Sequence, residues 1–193
     1  MERAVETWGG TGSFEEVLSD ALGGDERAFA RLWRWAHPAL VRWLRVVAPD
    51  SGEDLASDVW ISVIRGLDSF QGGEQAFRAW FFTIARRRVI DASRYRRRRP
   101  VTVSLDGVDA HSPGDVLESV AGDDAVAGAI AYLRRLHPDQ AEVVALRVIG
   151  GLSVSQVAAV VGRSDAAVRV LCHRGLRTLA EHVDDDLVPE RSA

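Results

Sequence analysis

The stretch 100–124 (PVTVSLDGVDAHSPGDVLESVAGDD) constrains the fold more than any other part of the chain. It holds Pro100, Gly107, Pro113, Gly114 and Gly122, together with six acids and no Arg. Proline removes a backbone donor and glycine costs helix stability, so no regular element crosses this density of both cheaply. The stretch is expected to be a flexible acidic linker between two folding units. On both sides of it apolar residues recur at three- and four-residue steps, the signature of helices with one buried face. The only alternation of strand type, Val101-Thr102-Val103, is too short to count. The expected fold class is therefore all-α, two small helical domains joined by that linker.

In the first unit, Ser13 with Glu16 reads as a capping box opening a short helix to about Leu22. Asp25 caps a second stretch bearing Phe29, Leu32, Trp33 and Ala36. His37-Pro38 is expected to interrupt or kink that stretch before Leu40, Val41, Leu44 and Val47 resume it. Ser51 with Asp54 reads as a third N-cap, with Leu55, Val59, Trp60, Val63 and Ile64 as the buried face that follows. Residues 68–75 (DSFQGGEQ) read as a loop. From Glu74 a long helix runs to about Arg98, with Phe77, Trp80, Phe81, Ile84, Ala85 and Val89 inward. The second unit is expected as four helices, 125–136, 138–149, 153–161 and from 164 to about 183. The expected organisation is a loose arm over 1–12, a first domain over 13–99, the linker over 100–124, a second domain over 125–183 and an acidic tail over 184–193.

A net charge of −4 over 193 residues argues against a nucleic-acid binder only until it is divided along the chain. Residues 1–100 carry 16 Arg and 14 acids; residues 134–180 carry seven Arg and three acids. The linker and the tail supply the negative balance. A polyanion responds to local rather than average charge, so two basic blocks remain. All 24 basic residues are Arg.

The densest basic signal is Arg86-Arg87-Arg88, Arg94 and Arg96 to Arg99, eight Arg in fourteen residues with Asp91 as the lone acid. Like charges at neighbouring helical positions repel, so this run is more than a solubilising face. Clustered Arg binds phosphates with counterion release, and aromatic side chains nearby can stack on unpaired bases. By spacing alone, Phe77, Trp80 and Phe81 are core. The second signal is a helix-turn-helix: a Ser153-x-x-Gln156 capping box, a Gly162 turn, then a helix capped by Ser164. Val157, Ala158, Val161, Val168, Leu171, Gly175 and Leu179 face inward, and Arg163, Arg169, His173, Arg174 and Arg177 make the second helix basic.

These motifs fall in an order that resembles the ECF sigma factors of the sigma-70 family. Gly24-Asp25-x-x-Ala28-Phe29-x-x-Leu32, Glu53-Asp54-Leu55-x4-Trp60 and Trp80-x3-Ile84-Ala85-Arg86-x4-Asp91-x2-Arg94 are similar to the family's region 2. Leu136 to Leu179 is similar to its region 4, with Leu146-Arg147, Gly151-Leu152-Ser153, Gly162 and Val168-Arg169 in place. The resemblance implies an RNA polymerase sigma factor that directs core polymerase to promoters, with duplex −35 DNA read by region 4 and the −10 element melted and captured by region 2. It implies docking on the polymerase β′ clamp helices through Asp54, Asp58, Trp60, Ser62 and Arg65, with the β flap as a second core contact. The family's base-capturing loop matches Ser69 to Glu74, so Phe70, Gln71, Gly72 and Glu74 are assigned to a flipped −10 base. Trp80 is grouped with them, and Arg78, Arg86, Arg87, Arg94 and Arg97 with the phosphates of the opened strand. Ser164, Asp165, Arg169, His173 and Arg174 are assigned to the −35 element, with Arg169 as leading base reader. An anti-sigma partner is implied as well. The departures are Arg87 where Asn is common, Val170 and Leu171 where polar or basic residues are usual, and Gly175-Leu176 for a common Ala-Arg.

The remaining readings are exclusions. Cys172 is the only cysteine, so no internal disulfide forms, and it is read as a small core residue. The five scattered His and lone Cys offer no zinc spacing, and no metal or other cofactor is expected. No phosphate-binding Gly loop or nucleophile motif suggests an enzyme. No uncharged apolar run approaches the roughly 20 residues that span a bilayer. The N-terminus, with Glu2 and Glu6, is not expected to be a secretion signal. A cytoplasmic protein is expected. The alternative is a helix-turn-helix repressor or activator that binds duplex DNA without polymerase; it accounts for residues 153–180 but not for the Arg-rich helix or the loop before it.

Overall fold

The structure, a computed structural model, describes residue 8, residues 12–98 and residues 123–187. The expected linker up to residue 122, Arg99 and most of the expected N-terminal arm lie outside the described residues. Eight α-helices are present among the described residues, and no strand. They are α1 (Phe14–Leu22), α2 (Glu26–Val47), α3 (Gly52–Leu67), α4 (Glu74–Arg98), α5 (Asp123–Arg134), α6 (Pro138–Val148), α7 (Val154–Val161) and α8 (Asp165–Leu187). The all-α reading holds.

Local chemistry explains most of the ends. Ser13 accepts from the Glu16 backbone N–H while the Glu16 carboxylate accepts from the Ser13 N–H, closing the expected capping box. Asp25 accepts from the backbone N–H groups of Arg27 and Ala28. Ser153 and Gln156 form the second box. Gly162 ends α7 at φ 69°, ψ 38°, a left-handed conformation that costs a residue with a Cβ about 1 kcal/mol or more.

Three expectations are corrected. His37-Pro38 does not break α2, which runs unbroken from Glu26 to Val47. Proline forfeits one hydrogen bond, but Leu32, Ala36, Leu40, Trp43 and Leu44 bury in the same core on both sides of it, and the helix continues. Ser51 gives no side-chain cap to α3; it ends a 3₁₀ turn (Pro49–Ser51) at φ −146°, ψ 23°. Ile64 does not join the buried face of α3; it is 55% exposed, and Leu67 takes the inner position one turn on. In addition, α8 continues to Leu187, four residues past the expected end, and Arg135, in the turn just after α5, reaches Asp186 at 2.7 Å.

The cores of the two helical sets meet. Helix α2 packs on α5 and α6, and α4 packs on α7. Phe82 of α4 lies edge-on to the fully buried Trp43 of α2 (centroids 5.8 Å, 75°) and backs directly onto Gly150. Polar bonds cross the same seam at two places. Arg86 Nε donates to Glu142 Oε1 at 2.8 Å, and Gln156 Nε2 donates to the Gln75 carbonyl at 2.8 Å.

Candidate nucleic-acid and polymerase interface

Helix α3 presents a stripe of outward residues at three- and four-residue steps: Asp54, Asp58, Ile61 and Arg65, with Ile64 beside it. Ile61 and Ile64 are the apolar centre of this stripe, 46% and 55% exposed. Ser62 is half-buried, accepting from Arg88 Nε at 2.9 Å and donating to the Asp58 carbonyl at 2.7 Å. Trp60, grouped with this surface from the sequence, points inward instead. It is buried against Phe29 and Phe81, and its Nε1 donates to His37 Nδ1 at 3.2 Å. Burial lowers the His37 pKa, which keeps the imidazole neutral and able to accept that bond. Ile61 lies three residues after Asp58 and four before Arg65, the spacing that sets it on the same face of α3.

The loop between α3 and α4 carries the residues assigned to a captured base. Two turns shape it: Phe70 N–H donates to the Leu67 carbonyl, and Ser69 Oγ to the Gly66 carbonyl. Gln71 and Gly72 are exposed at its tip, with Gly72 at φ 137°. Phe70 is half-buried, packed on Phe77 (5.5 Å) and Trp80 (5.1 Å). Phe77 and Phe81 are core, and Trp80 is half-buried with one side on that core. Glu74 opens α4 and is held by Arg78 at 3.0 Å.

The Arg residues of α4 divide into two groups. Arg87, Arg94, Arg96, Arg97 and Arg98 are exposed. Arg78 is not among them: 7% exposed, it lies 4.5 Å over the Trp35 ring as well as on Glu74. Arg86 is half-buried in its pair with Glu142, and Arg88 in its bond to Ser62. Of the Arg residues assigned to phosphate, the structure thus leaves Arg87, Arg94 and Arg97 open.

In the C-terminal set, α7, the Gly162 turn and α8 form the helix-turn-helix. Ser164 Oγ accepts from the Ala167 N–H, capping α8. Arg169, His173 and Arg174 are exposed along α8, and Asp165 lies 3.7 Å from the Arg169 guanidinium. Arg163 is tied to Asp139 at 2.5 Å. At Gly175 α8 comes close to α6; a Cβ there would stand 2.9 Å from Val144 Cγ2. Val170 and Leu176, two of the departures, are 49% and 48% exposed.

Comparison with known proteins decides what these surfaces belong to. Residues 32–99 match sigma-70 region 2, and residues 129–179 match sigma-70 region 4. The chain is 32% identical over 180 residues to the ECF RNA polymerase sigma factor ShbA of Streptomyces griseus, spanning 86% of this chain and 94% of ShbA. It belongs to the ECF sigma factors of the sigma-70 family. The sigma factor BldN of Streptomyces coelicolor is 35% identical over 178 residues, 89% of this chain and 66% of BldN. Among solved structures, the sigma factor RpoE bound to the anti-sigma factor NepR from Bartonella quintana superposes with a TM-score of 0.61 at 25% identity, covering 81% of this chain and 96% of RpoE. Membership in this family removes the repressor alternative. Among the described residues no helix is long and apolar enough to cross a membrane.

Proposed function

We propose that this ECF sigma factor directs core RNA polymerase to promoters through three separate surfaces. The α3 stripe of Asp54, Asp58, Ile61, Ile64 and Arg65 docks on the β′ clamp helices, with Ile61 and Ile64 as its apolar anchor. The loop Phe70 to Glu74 receives a flipped base of the −10 element, and Arg87, Arg94 and Arg97 hold the phosphates of the opened strand. Arg86 joins them once it leaves Glu142. The exposed start of α8 reads duplex −35 DNA: Ser164 and the helix N-terminus take phosphate, Arg169 is oriented toward guanine by Asp165, and His173 and Arg174 flank it. The chain performs no chemistry of its own, works in the cytoplasm, contacts the β flap through its second domain, and is held by an anti-sigma partner, as RpoE is by NepR in the solved complex.

The observation that carries this reading is the coexistence, on one chain that matches regions 2 and 4, of an exposed Arg row beside an ordered loop and a separately exposed, capped recognition helix. Gel shifts test it. The chain with core polymerase is expected to bind a fork template single-stranded over the −10 stretch far more tightly than the chain alone does. Tight binding of the chain alone to a palindromic duplex, unchanged by core, would overturn it.

A further inference from the structure

The part of the chain that matches region 2 begins at residue 32, yet the loop assigned to the −10 base is backed from outside that match. A row of four rings leads to it: Trp8 to Phe14 (5.6 Å, 83°), Phe14 to Phe77 (5.5 Å) and Phe77 to Phe70 (5.5 Å, 88°). Phe70 is part of the loop itself. A polar connection runs beside the rings. The Trp8 backbone N–H points at Glu74 Oε2 at 3.5 Å, while Arg78 Nε donates to Glu74 Oε1 at 3.0 Å. A third contact comes from α1, where Glu15 Oε1 sits 2.7 Å from the point a Cβ on Gly73 would occupy. Trp8 is itself fixed. Its Nε1 donates to the Gly12 carbonyl at 2.9 Å, its ring meets Trp35 edge-on at 5.6 Å, and the Arg31 guanidinium lies 5.7 Å above it.

We propose that Trp8, acting with α1, is a positioning residue for −10 recognition: it holds Phe70, Gly73 and Glu74 in the shape that receives the base. The inference rests on the assignment of the loop to the −10 element and adds what sets the loop's geometry. A pocket ordered before binding spends little entropy when the base arrives, and it rejects bases that a slack loop would accommodate. The ring and hydrogen-bond partners of Trp8 are Phe14, Trp35, Arg31, Gly12 and Glu74, none of them on α3. Its removal therefore acts on base choice and leaves polymerase docking intact.

The test reconstitutes the full chain with core polymerase on fork templates randomised over the single-stranded −10 stretch, and sequences the bound fraction. Trp8→Ala is expected to keep core affinity while its preference between the best and the substituted −10 base falls about tenfold, the scale of two edge-on aromatic contacts. Trp8→Phe restores most of it. Glu15→Ala, an exposed change that leaves folding alone, is expected to lower the preference in the same direction by a smaller factor. It also carries the test if Trp8→Ala proves unstable in a thermal melt. Undiminished preference in Trp8→Ala, or in Glu15→Ala where Trp8→Ala is unstable, overturns the role of the arm while leaving the loop assignment standing. A wild-type chain with no base preference on these templates sinks the loop assignment and the arm with it.

Discussion

Arg86 on α4 and Glu142 on α6 are joined by two bonds, Nε to Oε1 at 2.8 Å and a second guanidinium nitrogen to Oε2 at 3.4 Å. The pair spans the region 2 and region 4 parts of the chain, with side chains only 25% and 21% exposed. The same guanidinium cannot hold Glu142 and a DNA phosphate at once. The two partners are therefore expected to have opposite effects. Arg86→Ala weakens binding of the core-bound chain to a fork template, whereas Glu142→Gln frees the guanidinium and strengthens it, each by about 1 kcal/mol. Fluorescence anisotropy on the fork template measures both, and changes of the same sign would mean the pair is purely structural.

The α3 stripe separates docking from folding. Ile61→Asp and Ile64→Asp replace exposed side chains, so thermal stability should move by no more than about 0.5 kcal/mol while affinity for core polymerase falls at least tenfold. Trp60→Ala should behave in the reverse way. Its ring is buried and hydrogen-bonded, so the loss is about 3–5 kcal/mol of stability, read as a lowered melting temperature.

Much of this architecture is legible in the sequence because local chemistry decides it. Ser13 with Glu16, Ser153 with Gln156 and the Gly162 turn are set by residues within a few positions of one another, and all form as the pattern requires. Pro38 misleads as a helix breaker because what overrides it is tertiary: a core that grips Leu32 and Leu40 on either side cannot be read from the dipeptide. Ile64 and Trp60 mislead for a related reason. An apolar residue on a helix has two uses, packing and docking, and composition does not separate them. Arg78 shows the same limit for charge, since a basic residue in a basic run can still be the one that turns inward to an acid and an indole.

His37 gives a pH dependence whose sign is fixed. Its pKa is lowered by burial, and the unfolded chain takes up the proton near the ordinary value of 6.5 while the folded chain resists it. The unfolded state then binds more protons, so the stability contributed by the neutral, Trp60-bonded imidazole is present above that pH and is lost as pH falls toward the lowered value. Thermal melts at pH 7.5 and pH 5.5, values chosen about one unit either side of that ordinary pKa, should show a larger decrease for the wild type than for His37→Gln.

The two DNA-facing surfaces offer a base-specific variant on α8 and a base-blind variant on α4. Arg169→Ala should cost about 1–3 kcal/mol on the preferred −35 duplex and relax preference at one position. Arg94→Ala should weaken all templates alike and reduce the salt slope of binding by about one. Titrations at several salt concentrations distinguish them, and identical profiles for the two variants would contradict the division of labour.

The most direct measurement for the account as a whole is run-off transcription. Purified chain is combined with its cognate core polymerase and genomic fragments, and the 5′ ends of the transcripts are sequenced. Start sites are expected to share a paired −35 and −10 motif at fixed spacing, and to be lost when Ile61 and Ile64 are both changed to Asp. Core binding without any shared motif upstream of the starts, or no transcripts and no core binding at all, would contradict it.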